Sequence, residues 1–233
     1  MSEHDDRKPS ARVKERGHWR AECRLLPPAG EPPPQRPVTE LLARIEAAQV
    51  RLRGWYLPHV SREEISYFAT HIEGGSAWAR YHERWRLYGD GQFLWEQALR
   101  DDWNENHAFD RRPNQLDRLN VIDTVFTLTE LYRFCARLGK GWDGTAAVRM
   151  RVSLHGTKDR ILWINDPARD GFHADNITRS LEIDAADEEY GLLDLIEGAD
   201  ALARTAAVRV FRAFGWEPQP GVIEGMQGEL LRR

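Results

Sequence analysis

The chain reads as an α+β protein: a mainly antiparallel sheet packed against several helices, behind a disordered N-terminal arm. Three features point that way. Residues 148–154 alternate apolar and polar in a period of two, the mark of a half-buried strand. Residues 116–138 carry Val121, Val125, Leu128, Tyr132 and Cys135 at spacings of four, three, four and three, the mark of an amphipathic helix. Residues 1–37 hold Pro9, Pro27, Pro28, Pro32, Pro33, Pro34 and Pro37, too many fixed φ angles and missing donors for a regular element.

Residues 1–37 are therefore expected to be a Pro/Arg-rich arm, and residues 38–233 a single domain. The arm has eight Lys/Arg and six Asp/Glu, a net of +2; since the whole chain carries −4, the remainder carries −6. A mildly acidic body argues against general attraction to polyanions. Within the arm, seven basic residues fall between Arg7 and Arg24, and His18-Trp19-Arg20 reads as a short docking element at most.

The body opens with a helix that Thr39 can cap, with Leu41, Leu42, Ile45, Ala48 and Leu52 on one face. Arg53–His59 favours a strand that Pro58 ends, and 65–70 a second short one. Residues 80–88 and 92–97 flank Gly89-Asp90-Gly91 as a hairpin, and 101–113 is a polar loop. The 116–138 helix places Thr127, Arg133 and Arg137 away from its apolar stripe and ends near Gly139 and Gly141. After the 148–154 strand, 155–159 turns and 160–164 pairs back, with a third strand at 178–183. An Ala-rich helix covers 199–214 and a last one 222–230.

Motif chemistry mainly excludes. Cys23 and Cys135 are too few for a disulfide framework or a cysteine zinc site, and fit reduced thiols in a cytoplasm. The polar N-terminus has no signal region, no apolar run is long enough to span a bilayer, and no membrane contact is expected. His71-Ile72-Glu73 matches half of a zinc-deaminase motif without the cysteine half, so neither metal nor cofactor is expected. Gly139-Lys140-Gly141 follows a helix and lacks phosphate-loop spacing. The acids at 101–102 and 187–189 read as solvated loop residues.

Two recognition surfaces and one enzymatic alternative remain. Trp55, Tyr56, His59, Trp85 and Phe93 cluster around a Pro/Gly-punctuated edge and suit a protein partner or small ligand. Arg149 and Arg151 share one face of their strand, with Arg160 across from them, and together with the basic arm suit nucleic acid. A dispersed active site would need His59, His71 or His82 to converge with carboxylates.

The segments Arg53-Gly54-Trp55-Tyr56-Leu57-Pro58-His59, Trp85-Arg86-Leu87-Tyr88 with Gly91-Gln92-Phe93, and Thr127–Phe134 carry a further signal. They resemble an uncharacterised bacterial domain found with Schlafen AlbA-type DNA-binding proteins, over residues 50–216. The resemblance implies a non-enzymatic, sensor-like accessory module of stress or phage-defence proteins. It brings no catalytic residues, and no segment here matches the AlbA-type domain itself.

Overall fold

A computed structural model describes residues 13–78, 81–103, 117–164, 166, 172 and 176–232. Its first element is a correction. His18–Leu26, expected within the arm, is strand β1, and it lies in the middle of the sheet. Trp19, Ala21, Cys23 and Leu25 are buried, while Arg20, Glu22 and Arg24 alternate with them. The fold thus begins well before residue 38; the part of the expected arm at residues 1–12 lies outside the described residues. The prolines end the strand without undoing it, because its ladder bonds come from partners far along the chain. The segment after it is tied down as well, by Arg36 N–H to Gly89 O.

The remaining strands of the sheet are β2 (Ser66–Tyr67), β3 (His71–Trp78), β4 (Tyr81–Tyr88), β5 (Gln92–Ala98), β7 (Ala147–His155) and β9 (Glu182–Gly191). Their order is β2-β3-β4-β5-β1-β7-β9, and every neighbouring pair is antiparallel. The β4–β5 hairpin forms as expected, with Gly91 at φ 81° in its turn. Arg53–His59 is not a strand: it is an irregular loop held by a bridge between Val50 and Leu57. Of residues 65–70 only Ser66 and Tyr67 are strand.

Two later expectations shift. Residues 161–163 form β8, which pairs in parallel with β6 (Arg118–Asn120) instead of folding back on β7. Gly156 and Asp159, both at positive φ, turn the chain aside, and Arg160 is drawn inward by Asp102. The strand expected at 178–183 begins at Glu182 and runs on through Asp187-Glu188-Glu189, so those acids belong to an edge strand and not a loop. Alternation hid them because β9 carries a register shift opposite Val152 and Ser153.

The described residues form four helices, α1 (Val38–Ala48), α2 (Val121–Lys140), α3 (Leu192–Arg212) and α4 (Pro220–Leu231); the first three lie against the sheet and α4 packs on α2. Pro37, not Thr39, occupies the α1 N-cap, without a side-chain bond. Asn120 caps α2, its Oδ1 accepting from the N–H groups of Ile122 and Asp123 at 3.0 and 3.3 Å. This helix is central. The sheet takes one side, where Phe93 meets Phe134 at 4.6 Å, and α1, α3 and α4 take others. Thr127, expected on a solvent side, is therefore buried, as are Thr124, Thr129 and Glu130. Gln227 of α4 donates to Thr129 Oγ1 at 2.9 Å and Arg53 pairs with Glu130, so these polar groups keep partners. One continuous apolar cluster runs from Trp19 to Leu230.

Candidate anion-binding face of the sheet

The register sorts the side chains of the sheet onto two faces. Trp19, Ala21, Cys23 and Leu25 lie in line with Trp95 and Phe93 of β5, with Trp85 and Leu87 of β4, and with Val148, Met150, Val152 and Leu154 of β7. That face meets the helices. The alternate residues form the other face: Arg84 and Arg86 on β4, Leu94 and Glu96 on β5, Arg20, Glu22 and Arg24 on β1, Arg149 and Arg151 on β7, and Asp187 and Glu189 on β9.

Charge on this second face is segregated. The four adjacent strands β4, β5, β1 and β7 present six arginines with only Glu22 and Glu96 between them. Lys14 adds a seventh cation through its ion pair with Glu96 at 3.0 Å. Glu96 also takes Arg84 Nε at 2.5 Å, and the other balancing acids lie on the flanking strands: Glu73 of β3 accepts from Arg86 Nε at 2.9 Å, and Asp187 of β9 pairs with Arg149 and Arg151. Hydrogen bonds from Arg149 and then Arg151 hold the Asp187 carboxyl below its ordinary value. Arg20 and Arg24, in the middle, are exposed and meet no acid among the described residues. Two shallow hollows open beside them. One of about 160 Å³ is bordered by Arg20, Arg84, Arg86 and Glu96, the other of about 120 Å³ by Glu22, Arg24, Arg149 and Arg151.

One end of the face is covered. The 3-10 turn Arg100–Trp103 folds over it, and Trp103 packs on His82 at 4.2 Å. His18 stacks on His155 at 4.9 Å there, and burial holds the His18 imidazole below its ordinary pKa, so it stays neutral near pH 7. Ser153 Oγ and Glu182 Oε1 meet the same His155 nitrogen, at 2.9 and 3.4 Å. A nucleophile relay needs the acid on the other ring nitrogen, so this trio is not one.

Arg149 and Arg151 thus stand together as expected, but Arg160 does not join them. Its side chain is 2% exposed; Nη1 donates to Asp102 Oδ1 at 2.7 Å and Nη2 to Asp102 Oδ2. Asp102, read from sequence as solvated, is the buried half of that pair. A hollow of about 440 Å³ above it balances Lys14, Arg16 and Arg160 against Glu15, Asp102 and Asp117, and so offers no net charge.

The aromatic set does not assemble into one pocket. Phe93 is core, and Trp85 is core with its Nε1 donating to His59 O at 2.7 Å. Trp55 stacks under Arg53 and Arg100, at 5.0 and 4.1 Å from their guanidinium carbons, while Tyr56 lies exposed beneath Arg51. Burial, then the Arg53 charge, brings Arg100 down to about 10. His59 contributes main chain: its N–H donates to Glu83 Oε2 at 3.0 Å, and burial raises Glu83 to about 7. His71, between Phe68 and Tyr88, and His82 sit at opposite ends of the β3–β4 hairpin, roughly 20 Å apart at about 3.3 Å per residue. Among the described residues no group of three or more His, Cys, Asp or Glu side chains could hold a metal ion, and no helix is long and apolar enough to cross a membrane.

Arg20 and Arg24 were read from sequence as basic residues of the arm and not as strand neighbours of Arg149 and Arg151, and Arg84 and Arg86 were not singled out. The signal for the first two was present: His18–Leu26 alternates as cleanly as 148–154 does. Compared with protein-family models, curated proteins and solved structures, the chain finds no match.

Proposed function

We propose that the protein is a non-enzymatic binding module that holds nucleic acid by its phosphates on the face of the sheet opposite the helices. One observation carries this reading: four adjacent strands present six arginines and two acids, and the two central arginines, Arg20 and Arg24, meet no acid among the described residues. Guanidinium forks suit phosphate oxygens, and a patch of about 14 by 13 Å at ordinary strand spacings meets a short stretch of backbone. Trp19, Trp85, Phe93 and Trp95 all point into the core, so the six arginines meet phosphates with no ring among them; the stacked Phe68, His71 and Tyr88 lie at the β3–β4 edge of the face. Binding of this kind is insensitive to base sequence. It also accords with a net charge of −4, because the positive field is local to the face. The resemblance at Arg53–His59 would place such a module beside effector domains of bacterial stress or phage-defence proteins, and that setting is part of the proposal.

The test is anisotropy of a labelled single-stranded oligonucleotide over a salt series. Two phosphate contacts from Arg20 and Arg24 give a slope of about −1.4 in log K against log salt, so a fourfold rise in salt weakens binding about sevenfold. Arg20→Ala with Arg24→Ala should remove most of that slope. Absence of binding at low salt, or an unchanged slope in the double variant, refutes the reading.

A further inference from the structure

One hollow on this face is arranged for a particular anion. Arg24 of β1 lies directly across from Arg149 of β7, and Arg151 follows two residues along on the same face. With Glu22 these three line the hollow of about 120 Å³, against about 10–15 Å³ for one water. Two of the guanidiniums already converge on a single oxygen: Asp187 Oδ1 accepts from Arg149 Nη2 at 3.0 Å and from Arg151 Nε at 3.1 Å. The third, Arg24, has no acid among the described residues. Glu22, the one acid lining the hollow, is engaged sideways by Gln92 Nε2 at 2.7 Å.

We propose that Arg24, Arg149 and Arg151 form a phosphoryl site in which Asp187 is a built-in competitor, so that the hollow selects a phosphate monoester over a phosphodiester. The selection follows from charge and valence. A diester has one negative charge and two free oxygens, so exchanging it for Asp187 returns little. A monoester carries between one and a half and two charges near pH 7 and three free oxygens, one for each guanidinium. Asp187 is half exposed, and an ion pair of that kind is held weakly enough to swing aside. The site uses the same face as the proposed function, yet a free phosphate monoester would satisfy it equally well.

The experiment compares one oligonucleotide with a 5′-phosphate or a 5′-hydroxyl, and adds inorganic phosphate followed by ³¹P line broadening. For the native chain the 5′-phosphate form should bind about tenfold tighter, as one added charge-assisted contact allows. Asp187→Asn should tighten the 5′-hydroxyl form by about three- to fivefold and narrow the difference between the two. Arg24→Gln should erase the difference and abolish the phosphate broadening; circular dichroism confirms that both variants fold. Equal binding of the two forms by the native chain, or weaker binding by Asp187→Asn, overturns the proposal. Salt-dependent binding of both forms without discrimination leaves the nucleic-acid reading standing and removes this one. Arg24-dependent broadening by phosphate, with the 5′-phosphate form bound without salt dependence beyond its terminal group and the 5′-hydroxyl form not bound at all, does the reverse.

Discussion

Replacing Asp102 by Asn should destabilise the fold far more than any single change on the arginine face. The Arg160 side chain is 2% exposed and that of Asp102 5%. Arg160 Nε donates to Gly156 O at 2.6 Å and Nη1 to Arg118 O at 3.1 Å, while Asp102 takes both terminal nitrogens and the N–H of Gly17. The amide keeps the volume but turns a donor toward donors and leaves the guanidinium buried without its counter-charge. Asp117, 4.0 Å away and largely solvated, is a poor substitute. Stranding a buried charge in this way costs about 3–5 kcal/mol, out of a total of about 5–15 kcal/mol for a typical domain. For a chain of this length that lowers Tm by roughly 6–20 °C. Urea unfolding followed by tryptophan fluorescence, with calorimetry, measures it. The double variant Asp102→Leu with Arg160→Met removes both charges and should recover a large part of the loss, held below the native value by the orphaned carbonyls of Gly156 and Arg118. A loss under about 1 kcal/mol for Asp102→Asn, or a double variant no more stable than the single, would show that the pair does not act as a buried charge clamp.

Other consequences are as direct. Glu83 holds its proton to about pH 7 in the fold but ionises near the ordinary 4.5 when unfolded. At Glu83 the native state therefore binds more protons between those values, and this group's contribution to stability should fall by about 3 kcal/mol as pH rises from 4.5 through 7, against the smaller opposite trend of the lowered His18 and His71. Glu83→Gln should remove that fall while losing about 1–3 kcal/mol, because one oxygen cannot serve both the Trp95 indole and the His59 N–H; a variant whose stability changes with pH between 4.5 and 7 as the native chain's does refutes the assignment. Gly75→Ala should weaken the β3–β4 pairing by about 1–3 kcal/mol, since its methyl carbon would come 2.3 Å from the Glu83 carbonyl oxygen. Gly225→Ala, in α4 with open space around it, should instead raise stability by about 0.5–1 kcal/mol. Denaturation curves that order these two glycines the other way would contradict the packing described.

Local chemistry made much of the fold legible. The 3.6-residue period of α2, the Gly-Asp-Gly turn between β4 and β5 and the alternation of β7 each follow from which residues lie within a few positions of one another. The same local rule misjudged β1. Its alternation was in the sequence, but the neighbouring prolines outweighed it, because nothing near residues 18–26 reveals that β5 and β7 supply its hydrogen bonds. Arg160 and Asp102 were misplaced for a similar reason: a charge is read as solvated until a partner 58 residues away buries it.

The site divides along the same line. Sequence by itself determined that Arg149 and Arg151 share a face, since residues two apart on a strand must. It also determined that cysteine zinc and phosphate-loop chemistry are missing their motifs. Only the tertiary structure decided which strands stand next to β7, and hence that Arg20, Arg24, Arg84 and Arg86 extend one cationic face while Glu73 and Asp187 flank it. Strand order is set by long-range pairing and by burying one face under the helices, and neither leaves a mark within a short window of sequence.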